Sequence, residues 1–343
     1  MVSLRSRLVV FLILLGTLIV GLSFGRQLYI SRNLPREQFQ QKKLRLLTYS
    51  SFISSNGPGP EIIKKFEEDN HCKVDVVSSG DAGLLLERLK LGEAGVPFDI
   101  VIGLDQPLLE EAVARFEWLP QAFASSSRHP TLAEFTHPKF VPYDWSPMTF
   151  VYRKSSTGPL PKSFSDLANP AFKNQFGLQD PRSSTPGLQF FQWAKTLKGE
   201  STADFLKSFK GNVESVSPSW SFAYGLFKKE QIRFVFSYVT SLAYHWGVEG
   251  DHNFQVLSFP EGHPVQVEYV GIPKACRECE LAQKFSEEML TPWAQKIIME
   301  KNFMLPVIKG LEDGTVFAEL PPLKVIKTGT GKDLREWDQA FKK

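Results

Sequence analysis

Between residues 44 and 104 short apolar runs alternate with amphipathic ones, and this alternation narrows the possible folds more than any other feature of the chain. LRLLTY (44–49), KVDVVS (73–78) and FDIVIGL (98–104) are short, apolar and bounded by polar or turn residues, the pattern of buried strands. GPEIIKKFEEDN (59–70) carries Ile62, Ile63 and Phe66 at helical spacing, and AGLLLERLKLGE (82–93) reads as a second helix. Repeated strand–helix–strand units give parallel neighbours, because each helix returns the chain over one face of the sheet before the next strand begins. A doubly wound α/β fold is expected.

A second set follows. MTFVYR (148–153), a segment near 175–179, RFVFSY (233–238) and VQVEYVGI (265–272) are strand candidates, SFSDLAN (163–169) and the run after STPG are helix candidates, and the last third is expected to be largely helical. FVPYDWSP (140–147), where prolines bracket an aromatic run, divides the two sets, and VQVEYV is placed to carry the chain back. The predicted organisation is a first lobe of residues 44–143 completed by 263–343, and a second lobe of residues 144–262. Two such sheets joined by a hinge leave a cleft between them, and in open α/β sheets ligands gather at the carboxyl ends of strands. Those ends read TYSSF, VVSSGDAG, IGLDQP, LQDPRSSTPG and FSYVTS, each with a hydroxyl, a carboxylate or a ring.

The 343 residues leave room for an N-terminal extension before the lobes. Residues 1–25 join a basic start, with Arg5 and Arg7, to an apolar run from Leu8 to Leu22, the layout of an export signal. Cleavage after Gly25 and retention as an uncleaved anchor are both open, with the polar residues 26–43 as a tether in the second case. A periplasmic location is expected. Arg5 and Arg7 supply two of the formal charges in a net +3, so the remaining body is nearly neutral, which argues against a nucleic-acid partner. Of three cysteines, Cys276 and Cys279 form a C-x-x-C at a predicted helix start. Without thioredoxin-like surroundings or histidines at ligand spacing, a local disulfide or two spare thiols is favoured over redox chemistry or zinc. No metal, cofactor or catalytic residue is expected.

One strand end offers more than a fold requires. In DPRSSTPG, Pro186 suits the first turn of a helix and one hydroxyl would cap it, yet Ser183, Ser184 and Thr185 stand in a row. Three hydroxyls beside the free N–H groups of a helix start would also suit a bound anion. Enzymatic signatures fail: KTGTGKD (327–333) lacks the first glycine and the final hydroxyl of a phosphate loop. There is no G-x-S-x-G, no H-E-x-x-H and no obvious acid–base carboxylate pair. His263, near Glu261, reads as a structural histidine of the hinge, and Asp105 and Asp144 read equally as ligand, cap or hinge residues.

TYSSF…GPGPEIIKKFEED, DIVIGLDQPLLEEA, FVPYDWSPMTFVY, QDPRSSTPGLQFFQW, SWSFAYGLFKKEQ, FSYVTSLAYH and FPEGHPVQVE resemble, in order and spacing, the bacterial periplasmic thiamine-binding proteins, the soluble receptors of thiamine ABC importers. The likeness runs from about Leu44 to Pro306. It implies a two-lobed type II periplasmic-binding-protein fold, a monomer, no enzymatic activity, and a cleft for thiamine, thiamine phosphate or thiamine diphosphate delivered to an inner-membrane ABC permease. It also implies ligand contacts at Tyr49, Asp81, the backbone of Ala82, Ser184 at the phosphate end, Trp220, Tyr238, Tyr244 and Phe303. A thiazolium cation suits ring faces, and phosphate suits hydroxyls and helix starts. Two positions depart from the family: Asn56 and Phe303 stand where it often has tryptophan, so recognition of the pyrimidine end is where a difference is expected. The rival ligands are an aminophosphonate, an iron complex or a polyamine. A thiamine-directed enzyme on the same fold is disfavoured because no cysteine lies at a strand end.

Overall fold

The computed structural model describes residues 41–341 apart from 94, 96 and 123–127. The expected signal segment and nearly all of the tether lie outside the described residues. The described residues from Lys42 onward form one compact unit, and no described helix is long and apolar enough to cross a membrane.

The first sheet starts as predicted. Strands β1 (Lys43–Thr48), β2 (Lys73–Ser78) and β3 (Ile100–Asp105) alternate with α1 (Gly59–Asn70), α2 (Leu85–Glu93) and α3 (Gln106–Arg115). β1 lies between β2 and β3, parallel to both. α1 begins with a proline in its first turn and ends where His71 turns left-handed at φ 50°. It buries Ile62 and Phe66, and the Phe66 ring meets Phe285 edge-on at 4.8 Å. α3 follows β3 directly and was not anticipated; its proline sits in the first turn, where a missing N–H costs nothing.

The proline-bracketed segment is one strand. β4 (Phe140–Arg153) runs unbroken through Pro142 and Pro147, pairing with β9 (Val265–Gly271) over its first half. Its second half pairs with β7 (Phe234–Tyr238) and β8 (Phe254–Val256). Pro142 adjoins a bulge and Pro147 stands where β4 leaves one partner for the other, two places where a strand tolerates a residue without N–H. β9 completes the first sheet in the order β2-β1-β3-β9-β4, antiparallel to both of its neighbours.

The second sheet continues from β4 as β7-β5-β6, with β5 (Phe176–Gln179) and β6 (Val213–Ser217) parallel to each other and β5 parallel to β7. Its helices are α4 (Thr185–Lys198), α5 (Thr202–Lys210), α6 (Trp220–Lys228) and α7 (Ser241–Gly247). The phenylalanines collect under this sheet: Phe176, Phe190, Phe209 and Phe236 surround Phe150 at 5.0 to 6.5 Å between ring centres, mostly edge-to-face. Truncating one such ring to alanine costs about 3–5 kcal/mol. The expected helix at 163–169 is reduced to a 3-10 turn over Ser165–Ala168.

The C-terminal part departs from its expected path. α8 (Cys279–Glu288) and α9 (Pro292–Asn302) pack on the first sheet side, and β10 (Leu305–Pro306) pairs with β4. From there to α10 (Arg335–Phe341) the chain is mostly irregular, in keeping with its Gly-Pro content. α10 lies against α5, with Trp337 buried near Phe191 and Asp338 bonded to Arg182. Residues 263–343 therefore do not all return to the first lobe, because the apolar face of α10 finds its cover on the second. Cys276 and Cys279 form a local disulfide, and Cys72 is a buried thiol whose pKa burial raises.

Candidate functional site

A cleft of about 630 Å³ opens at the strand ends between the two sheets. Tyr49, Ser50, Ser51, Asn56, Asp81 and Ala82 line it from the first half, Ser183, Thr185, Trp220, Tyr224, Tyr238 and Tyr244 from the second, and Asn302, Phe303 and Met304 at the end of α9. Glu268 of β9 lies at its floor.

Two bulges build that floor. Between Ile102 and Leu104 the β3–β9 register slips at Gly103, whose φ of 103° is left-handed; a side chain there would strike the Tyr49 ring. Between Pro142 and Asp144 the β4–β9 register slips at Tyr143. The two tyrosines converge: Tyr49 donates to Glu268 Oε2 at 2.7 Å, and Tyr143 donates to the same oxygen. Gln266 donates to Glu268 Oε1 and to the Tyr238 hydroxyl, and Asn302 donates to Tyr49 and, at 2.7 Å, to Asp144. Burial pushes the carboxyl groups of Asp144 and Glu268 up from their ordinary range; the Glu268 charge adds to the shift of Asp144 and the Asp81 charge to that of Glu268, and these donors partly offset both.

The second half supplies rings. Trp220 opens α6, stacks on Tyr224 at 5.0 Å and 26°, and donates its indole N–H to Ser237 at 2.9 Å. Tyr224 is held from behind by the buried His245, whose Nε2 lies 2.7 Å from the phenol and whose Nδ1 is 2.6 Å from Glu249. Tyr238 tilts toward Trp220 at 6.1 Å, and Tyr244 meets Phe303 edge-on at 5.1 Å. Phe303 ends α9 in the left-handed conformation, φ 52°, which favours glycine; here it aims a ring at the cleft.

The two walls touch at Asp81. Its carboxylate accepts the Trp220 N–H at 3.2 Å and the Ser184 hydroxyl at 3.3 Å, so an acid of the first half occupies the N-terminal ends of α6 and α4. Desolvation raises its pKa and these donors lower it. Beside it the backbone at Gly83 lies so close to Ser183 that a Cβ would collide with that carbonyl.

The eight residues anticipated from the sequence fall in one region, seven of them lining the cleft directly. Ser184 does not: it is buried behind Asp81, and Ser183 donates to the carbonyl of Pro218, so both hydroxyls serve contacts within the protein. Asn56 also lines the cleft. Sequence reasoning passed over Glu268, Tyr143, Tyr224 and Asn302. The signal for Glu268 was present in VQVEYVG, where Gln266 and Glu268 put two polar groups on one face of a wholly buried strand. His263, in contrast, is a packing residue: it lies wholly buried beside Trp193 and Phe259 and accepts the Phe259 N–H, and burial lowers its pKa to about 4.

Two α/β lobes sharing crossing strands, with a ring-lined cleft at the strand ends, define a type II binding protein. The chain belongs to the family of bacterial extracellular solute-binding proteins, whose profile matches residues 54–304. It is 37% identical over 267 residues to the thiamine-binding periplasmic protein of Brucella melitensis, covering 78% of this chain and 80% of that protein. It is 35% identical over 269 residues to the thiamine-binding periplasmic protein of Escherichia coli, covering 78% and 82%. Among solved structures, a periplasmic thiamin binding protein superposes with a TM-score of 0.74 at 31% identity, over 90% of this chain and 95% of that one. A ferric binding protein from Campylobacter jejuni, at 18% identity and a TM-score of 0.69 over 87% and 95%, shares the fold alone.

Proposed function

We propose that this solute-binding protein is a periplasmic receptor for thiamine, thiamine phosphate or thiamine diphosphate, which it passes to an inner-membrane ABC permease without chemical change. The observation that carries the reading is the Trp220–Tyr224 stack standing in one cleft with a buried carboxyl floor. A flat cation gains from ring faces on one side and from a carboxylate on the other. The cleft is of the size that takes small organic ligands, and the names of the relatives support this particular one. Trp220, Tyr238, Tyr244 and Phe303 receive the ligand's rings, Tyr49 and the Ala82 N–H its polar groups, and Ser184 acts through Asp81. Residues 44–143 and 144–262 close as two lobes about the crossing strands, since Asp81 joins the walls only when they meet. The protein acts as a monomer, freed by cleavage after Gly25 or held by its N-terminal segment. Native mass spectrometry of the full-length protein, purified without denaturation from cells that make thiamine, tests the reading. A bound mass of thiamine or one of its phosphates is expected; a different co-purifying solute would overturn it.

A further inference from the structure

β9 sets Glu268 opposite Asp105 of β3 on one side and opposite Asp144 of β4 on the other, so three carboxyl groups stand abreast across three strands. Residues directly opposite in neighbouring strands lie about 4.5–5.5 Å apart at Cβ, where like charges repel. All three are buried, and burial raises the pKa of each, that of Asp105 to about 8. The groups around the row bring no positive charge: Tyr49, Tyr143 and Gln266 bond Glu268, with Tyr238 bonded to Gln266; Gln189 bonds Asp105 and Gln106, Asn302 bonds Asp144, and Asp81 adds a further negative charge. Among the described residues lining the cleft, the cations are Lys228 and Lys301, and each is paired, with Glu249 at 2.6 Å and Glu61 at 2.7 Å. Three buried acceptors beside Glu268, Asp105 Oδ1, Asp144 Oδ1 and Gln266 Oε1, have no hydrogen-bond partner.

Resting on the thiamine reading, we infer that Glu268 is the counter-charge for the ligand's cation, and that the cation enters in exchange for the proton on Glu268. The geometry selects this member of the row. Glu268 lines the cleft and has three donors, Tyr49, Tyr143 and Gln266, ready to stabilise a carboxylate. Asp144 and Asp105 have one side-chain donor each, Asn302 and Gln189, and neither lines the cleft. With the cleft empty, an ionised Glu268 would lie buried between two further acids without a cation, so it holds a proton. An arriving cation supplies the missing charge, and the proton leaves to solvent; no bond of the ligand changes.

The sign follows from linkage. The ligand favours the ionised form, so affinity rises with pH, up to tenfold per unit, until the empty site's own pKa is passed, and is flat above it. The test is calorimetric titration of the full-length protein with thiamine between pH 6 and 8, in two buffers of different protonation enthalpy. Release of up to one proton per thiamine and a rising affinity are expected. Glu268→Gln should abolish the release, flatten the profile and weaken thiamine at least tenfold, while an uncharged analogue with thiophene in place of thiazolium binds as it does to the parent. Thiamine binding without proton release and with a flat profile in the parent protein would overturn the inference, and this needs no variant to fold. So would undiminished thiamine affinity in Glu268→Gln. Silence with thiamine and both phosphates at every pH would instead refute the ligand assignment on which the inference rests.

Discussion

The wall of the cleft that comes from the first half presents short polar groups, Ser50, Ser51, Asn56 and Asp81, whereas the wall from the second presents the rings of Trp220, Tyr224, Tyr238 and Tyr244. Their supports differ as well. The rings stand on helix starts and strand ends braced by Tyr224 and His245, and the polar groups stand on turns after β1 and β2. The ring wall can hold a flat ligand by itself, because its stack is formed without any contact from the other side. The polar wall has a partner across the cleft as well as its own, where Asp81 meets Trp220 and Ser184. Ring recognition and closure are thus separable, and substitutions on each wall should fail in different ways.

The largest effect is expected at the contact between walls. In Gly83→Ala the new methyl meets the Ser183 carbonyl, so the closed arrangement should lose about 1–3 kcal/mol. Every ligand should weaken by the same factor, with the melting temperature of the empty protein unchanged and a larger radius of gyration in small-angle scattering. Trp220→Leu should come next, at about 1–2 kcal/mol, because it keeps apolar area and loses the ring's attraction for a cation. Here the loss should fall on charged ligands and spare an uncharged analogue, as read by parallel titrations. The smallest is Ser184→Ala, about 1 kcal/mol for one hydrogen bond. Since that hydroxyl binds Asp81, free and phosphorylated ligands should lose equally; a loss confined to phosphorylated ones would place the ligand's phosphate, not Asp81, at Ser184.

Much of this fold is legible in the sequence because its signals are local. The limits of α1, and of β2, follow from periodicity and flanking residues, and the structure places them over Gly59–Asn70 and Lys73–Ser78 as read. FVPYDWSP reads as a break because proline opposes pairing, and only the sheet reveals that both prolines sit where pairing is already interrupted. Trp220, Tyr238, Tyr244 and Phe303 were named through resemblance, whereas Tyr224, the partner of the Trp220 stack, was not. The floor was not, because Asp105, Glu268 and Asp144 come together through cross-strand register, which depends on two bulges that no local pattern announces. Ser184 was legible as special but not in its role, since its partner lies 103 residues away.

Titration calorimetry of the full-length protein with thiamine tests the account most directly. Binding at micromolar affinity or tighter, about −8 kcal/mol or better, is the predicted result. No heat with thiamine or either phosphate, together with clear heat from a polyamine or an aminophosphonate, would contradict it.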